Sequence, residues 1–208
     1  MNLKLKVCGM RDPANMVDVA SLQPDYMGFI FYENSKRFVG NDFSISYEFP
    51  HAIRRVGVFV NEKVNTILKQ VSKHKLDYVQ LHGNELPEDC EALIERVGVI
   101  KVFSIDNQFD FNSTKAYQPF SDFFLFDTKT ESYGGSGKTF DWSLLKKYDQ
   151  QIPFFLSGGL SSENIESVEE LKDMNLHAVD INSGVETAPG LKDIPKINSI
   201  KSILTSIY

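Results

Sequence analysis

Cysteine is scarce in this chain. There are two, Cys8 and Cys90, and they stand at no metal-ligand spacing. The four histidines, His51, His74, His82 and His177, are scattered, and no HxH or HExxH pattern suggests zinc. No stretch approaches the roughly 20 apolar residues that a membrane span needs. The opening MNLKLKV spaces its charges too closely for the apolar core of a secretory signal. Positive charge is not in excess: 22 Lys and Arg face 28 Asp and Glu, a net −6. These shortages set expectations: reduced thiols in the cytoplasm, no bound metal, no membrane and no general pull toward nucleic acid. A negative protein that binds an anion must use a local device, such as a helix N-terminus or a placed arginine.

What is present is ordinary for a globular protein, with 42% apolar and 24% charged residues. The 208 residues suffice for one sizeable core or two small domains, and no linker or low-complexity tract divides them. Residues 1–208 therefore read as one domain. Eight β-rich runs recur: LKLKVC (3–8), DYMGFIF (25–31), RRVGVFV (54–60), DYVQLHG (77–83), GVIKVFS (98–104), DFFLFDT (122–128), PFFLSGG (153–159) and HAVDINSG (177–184). Helical patterns separate most of them. The first has Asp12 as N-cap and Pro13 at its first position. Two units are weak: the second, around FSISYEF, and the fifth.

Alternating strands and helices imply a parallel sheet with right-handed crossovers. Eight such units point to an α/β protein built as a (β/α)₈ TIM barrel rather than an open sheet. A typical barrel has about 250 residues, so this one has little spare loop and should take a small ligand.

Chemistry in such a barrel sits at the C-terminal ends of the strands. The last two ends, SGG with Gly158 and Gly159 and NSG with Asn182, Ser183 and Gly184, bring glycines together. They let backbone N–H groups approach a ligand, which points to a phosphate site at the ends of strands 7 and 8. Asp127 ends an apolar strand. It is either an acid whose pKa burial raises or a carboxylate accepting N–H bonds from the next loop. GGSGK after it lacks the full phosphate-loop spacing and suits a loop that closes over substrate. Arg37 follows strand two, where it is either solvated or a bidentate grip for a carboxylate. His82 reads as a satisfied structural histidine. Cys90 falls on the apolar face of a helix and reads as core. Cys8 sits at the catalytic level, and its thiol becomes a base if positive potential lowers its pKa. Helix N-termini around the mouth are the expected source.

The strings KVCGM, GFIFYENSKRFV, RVGVFVN, VQLHGNE, FDTKTESYGGSGKTFDW, LSGGLSSENI and VDINSGVETAPGLKD run in order along almost the whole chain. Together they resemble the phosphoribosylanthranilate isomerase family of tryptophan biosynthesis. The resemblance implies an Amadori rearrangement of an aminoaldose to an aminoketose, with no cofactor and a small phosphorylated substrate as partner. It gives Asp127 the role of general acid at the ribose ring oxygen and Cys8 that of general base at carbon 2. Arg37 would grip the anthranilate carboxylate. Gly158, Gly159, Asn182, Ser183 and Gly184, with Asp180 nearby, would hold phosphate. Asn182 stands where the family usually has Ser. Phe29, Phe31 and Phe38 are candidates for the apolar wall, and Gly9 would make room for substrate. Monomer and homodimer both stay open.

Three other readings compete, and one of them, a related isomerase of histidine biosynthesis, needs a second phosphate site for which the first half shows no glycine-rich match. A Schiff-base aldolase or indole-forming synthase needs a lysine at a strand end. Lys101 lies within strand five, but strand six ends in Asp127. A non-catalytic phosphate binder would have lost Cys8 or Asp127, and both are present.

Overall fold

The computed structural model describes residues 3–46, 48–129 and 139–208. Strands β1 (Lys4–Val7), β2 (Tyr26–Ile30), β3 (Arg54–Phe59), β4 (Tyr78–Leu81), β5 (Gly98–Ile105), β6 (Phe123–Thr128), β7 (Phe154–Leu156) and β8 (Leu176–Ile181) pair in chain order and close into a barrel. All eight pairings are parallel, and β1 meets β8 with Lys6 opposite Asp180. Six strands fall within the runs anticipated for them, while β5 continues one residue beyond its run to Ile105 and β8 starts one residue before its run at Leu176.

Local signals set the helices. Asp12 caps α1 (Pro13–Ser21), its carboxylate accepting the Asn15 N–H at 2.8 Å. Helix α2 (Val64–His74) buries Ile67 and stops at Lys75, which takes a left-handed conformation with φ +50°. Helix α3 (Pro87–Ile94) starts on a proline and buries Cys90 and Leu93. Helix α4 (Ile194–Ile207) buries Ile197, Ile200 and Leu204 against the barrel, at about 1.5–3 kcal/mol each.

The fifth, sixth and seventh connections are 3₁₀ segments, Phe111–Phe120, Trp142–Lys147 and Ile165–Leu171. The first of these contains Pro119, which has no N–H to give a regular α-helix. No helix lies between β2 and β3 among the described residues. FSISYEF alternates apolar and polar residues with period two, so it cannot offer a helix one apolar face. Phe43 and Phe49 instead lay their rings against Phe29 at 5.6 and 6.1 Å and cover β2. The sequence also hid a small antiparallel hairpin, β9 (Glu186–Ala188) and β10 (Leu191–Lys192), directly after β8. No helix among the described residues is long and apolar enough to cross a membrane.

Strand alternation sorts the interior into layers. Tyr26, Val56, Ile100, Val102, Leu125, Phe155 and Ala178 form an apolar plug. Above it lie buried Lys6, Gln80 and Asp180, and then Cys8, Ile30 and Val58 at the mouth.

Candidate active site

A basin of about 830 Å³, including the solvent in its opening, occupies the C-terminal end of the barrel. Cys8, Arg37, Asp127, Gly158, Gly159, Asp180, Asn182, Ser183 and Gly184 all line it. The topology therefore gathers onto one surface the residues given catalytic, carboxylate-binding and phosphate-binding roles from the sequence. The GGSGK loop lies outside the described residues.

Cys8 follows β1, and its N–H donates to the Ile181 carbonyl at 2.9 Å, which fixes the strand end. The thiol is buried, and Gly28 on β2 provides its space: a methyl group there would stand 2.6 Å from the sulfur. Burial pushes the thiol pKa up, while Lys6 and Lys192 draw it down. Lysine ammonium groups thus supply positive charge at Cys8, a source not anticipated from the sequence. Gly9 has φ +76°, and a methyl group on it would meet Asn182 Oδ1 at 2.7 Å and Arg37 Cδ at 2.8 Å. It makes room for those two side chains, so the expectation that it clears space for a ligand is replaced by a packing reason.

Asp127 closes β6. Its Oδ1 accepts the Thr128 N–H at 2.8 Å, and its Oδ2 stands 3.3 Å from His82 Nε2. The carboxyl satisfies a backbone donor and still faces the basin. His82 is more than the structural histidine expected: it lines the basin, contacts Asp127, and is held by Gln80 Nε2 at 3.0 Å from its Nδ1. The i, i+2 spacing of Gln80 and His82 at a strand end was the available signal.

Arg37 is half-buried and engaged. Its Nε and Nη2 donate to the Glu186 carboxylate at 2.8, 3.0 and 2.5 Å. Lys192 Nζ reaches the same carboxylate at 2.7 Å and Asn182 Oδ1 at 2.7 Å. Burial pushes the Glu186 carboxyl up, but Arg37 and Lys192 outweigh it and hold it below its usual range. Neither Glu186 nor Lys192 was foreseen, because the hairpin that presents them shows no regular pattern in sequence. Lys192 takes up Asn182 Oδ1 and leaves the amide nitrogen as the free end.

At the seventh strand end, Gly158 and Gly159 have φ +93° and +66°. A methyl group on Gly158 would lie 2.3 Å from Thr128 Oγ1, and one on Gly184 would lie 2.1 Å from the Leu160 carbonyl. Only glycine fits either close approach. No backbone carbonyl among the described residues takes the N–H of Gly158 or Gly159. These donors and the turn at Ser183–Val185 form a concave edge suited to an anion. Asp180 lies deeper, with its Oδ2 2.6 Å from Lys6 Nζ.

The apolar wall is Ile30, Tyr32, Val58, Val60 and Leu160. Phe29 and Phe31 alternate with Ile30 and point away from the basin: Phe29 packs on Phe43 and Phe49, and Phe31 stacks on Phe59 at 5.1 Å. Phe38 lines a separate cleft with Phe31 beside α2. Lys101 does not line the basin; its ammonium donates to Glu85 at 2.7 Å and to the Leu81 and Gly83 carbonyls. With every proton of that ammonium in use outside the basin, Lys101 is no candidate for a Schiff base there. Cys90 packs between α3 and the barrel as expected, its thiol pushed by burial up to about 12.

The chain is similar to known proteins along almost its whole length. A family model described as N-(5'-phosphoribosyl)anthranilate (PRA) isomerase matches residues 5–202. N-(5'-phosphoribosyl)anthranilate isomerase of Parabacteroides distasonis is 47% identical over 205 residues, covering 96% of this chain and 93% of that protein. A crystal structure of monomers generated from the dimeric phosphoribosylanthranilate isomerase of Thermotoga maritima superposes with a TM-score of 0.80 at 34% identity, covering 98% of both chains. Another phosphoribosylanthranilate isomerase, in complex with reduced 1-(o-carboxyphenylamino)-1-deoxyribulose 5-phosphate, superposes with a TM-score of 0.80 at 33% identity, covering 98% of this chain and 99% of that one. Matched along almost its full length, the chain belongs to the N-(5'-phosphoribosyl)anthranilate isomerase family.

Proposed function

We propose that this chain converts N-(5'-phosphoribosyl)anthranilate to 1-(2-carboxyphenylamino)-1-deoxyribulose 5-phosphate in tryptophan biosynthesis, with Asp127 as general acid and Cys8 as general base. The observation that carries the assignment of roles is that the Asp127 carboxyl, on β6, and the Cys8 thiol, after β1, line one basin. Asp127 gives its proton to the ribose ring oxygen, and the bond from that oxygen to carbon 1 breaks. The anilino nitrogen supplies the electron pair that makes the carbon 1–nitrogen double bond. The Cys8 thiolate then takes the proton from carbon 2, and the electrons of that bond form an enolamine. Ketonisation follows as carbon 1 gains a proton and the carbon 2 hydroxyl loses one. Atoms and charge balance with no external electron acceptor.

Binding fits the same frame. The N–H groups of Gly158, Gly159, Ser183 and Gly184, with the Asn182 amide, hold the phosphate. Asp180 supports that end from the floor of the basin. Arg37, oriented by Glu186, offers its remaining edge to the anthranilate carboxylate, and Ile30, Val58 and Leu160 flank the ring. Residues 1–208 act as one catalytic domain, as a monomer or homodimer.

The direct test is turnover of freshly made substrate, followed by loss of its anthranilate fluorescence. The expected result is saturable turnover without added metal or cofactor, with inorganic phosphate competing. Well-folded protein that leaves the substrate unchanged would overturn the reading. A second test concerns the thiol's position. In Gly28→Ala the new methyl group must displace the Cys8 sulfur, from which it would otherwise stand 2.6 Å. Misplacing a catalytic group by about 1 Å can cost about 10²-fold. The variant should fold, bind with little change in KM and lose kcat on that order; kcat equal to the wild type would exclude the placement.

A further inference from the structure

The isomerisation as described leaves one buried charge without a task. Lys6 is fully buried inside the barrel, two residues before Cys8 on the same inward face of β1. Its Nζ donates to Asp180 Oδ2 at 2.6 Å and to Gln80 Oε1 at 2.7 Å. An ammonium has three protons; these two bonds take two of them, and Cys8, the next inward residue along the chain, joins Asp180 in raising the Lys6 pKa.

Stability alone does not explain this arrangement. A buried ion pair gains little over a well-packed apolar pair, because desolvation offsets the attraction. The layer directly below is made of just such apolar residues, Val56, Ile100, Leu125 and Phe155 among them. Lys6 and Asp180 are placed where the strand ends turn catalytic, and Asp180 Oδ1 is left buried with no hydrogen-bond partner.

We infer that Lys6 is a positioning residue for the isomerisation: held by Asp180 and Gln80 beneath Cys8, its ammonium stabilises the thiolate and holds the sulfur at carbon 2 of the substrate. This rests on the reading of Cys8 as the base. The groups that face Cys8 are Lys6 from its own strand, Asp180 from β8 and Lys192 from β10. His82 and Asp127 face Asp180 from the ends of β4 and β6. Lys6 and Lys192 favour the thiolate and Asp180 opposes it. Removing Lys6 and removing Asp180 must therefore move the thiol in opposite directions, which loss of a merely structural pair would not do.

The experiment is a titration of thiolate ultraviolet absorbance in the free protein, for the wild type, Lys6→Met and Asp180→Asn. Each is read as a difference against the same protein carrying Cys8→Ser, so that Cys90 and the tyrosines cancel. Lys6→Met should raise the Cys8 midpoint by about one pH unit or more, and Asp180→Asn should lower it. The kcat of Lys6→Met should fall about tenfold at neutral pH and recover as pH rises. An unmoved midpoint in folded Lys6→Met, or shifts of the same sign in both variants, would overturn the inference. If Lys6→Met alone does not fold, the Lys6→Met/Asp180→Asn double variant replaces it, with a midpoint expected above that of Asp180→Asn. Should Cys8→Ser keep full turnover, the base assignment falls and the role of Lys6 in the reaction falls with it. Full loss of turnover in Cys8→Ser with unmoved midpoints removes the Lys6 inference alone.

Discussion

Asp127→Asn should lower kcat by about 10²–10⁴-fold, the range that positioned acid–base groups contribute, with little change in KM. Asparagine has the shape of aspartate, and its carbonyl oxygen can still accept the Thr128 N–H that Asp127 Oδ1 takes at 2.8 Å. The fold and the basin are therefore retained. What is lost is the proton for the ribose ring oxygen, without which that oxygen must leave as an alkoxide. His82 Nε2, 3.3 Å from the carboxylate, is the only other proton carrier in contact with Asp127 among the described residues. A parallel measurement on His82→Asn separates the two. If Asp127→Asn stays within tenfold of the wild type while His82→Asn is inactive, the acid is His82 and the assignment to Asp127 fails.

Cys8→Ser is expected to cost kcat a similar 10²–10⁴-fold through the other half of the reaction. The hydroxyl occupies nearly the same volume against Gly28, so packing is kept. Its pKa lies far above that of a thiol, so no usable base remains at carbon 2. Ring opening persists, and exchange of the carbon 2 hydrogen with solvent is lost. The wild type adds a pH signature. Burial raises the Cys8 thiol above its usual value. The active thiolate therefore becomes scarcer as pH falls and more abundant as pH rises. Activity should climb from neutral into alkaline pH, and alkylation of Cys8 by iodoacetamide should accelerate along the same curve. A rate that is flat across that range, or a Cys8→Ser variant within tenfold of the wild type, would remove Cys8 from the proton transfer.

These expectations rest on features that were unequally visible in the sequence. Eight apolar runs, each followed by turn or capping residues, determine the eight strands, because a strand buried on both faces is a local compositional fact. The start of α1 is equally local: Asp12 and Pro13 carry the capping donor count between them. Cys8, Asp127 and the glycines Gly158, Gly159 and Gly184 were legible because each ends a strand, and strand ends converge in a closed barrel.

What a side chain meets across the barrel was not legible. Lys6 meets Asp180, 174 positions further along the chain, because β1 closes on β8. Arg37 meets Glu186 through a hairpin that no pattern announced. His82 acquires Asp127 only when β4 and β6 are bent to one mouth. The ligand wall turned on a parity of one residue: Phe29 and Phe31 look aromatic enough to hold a ring, but alternation sends them outward and turns Ile30 in. By itself the sequence determined the strands, their order and which chemical groups stand at their ends, since these depend on neighbours along the chain. Tertiary structure alone decided which charges pair, which face looks inward and what surrounds the thiol, since these depend on the register at which the barrel closes.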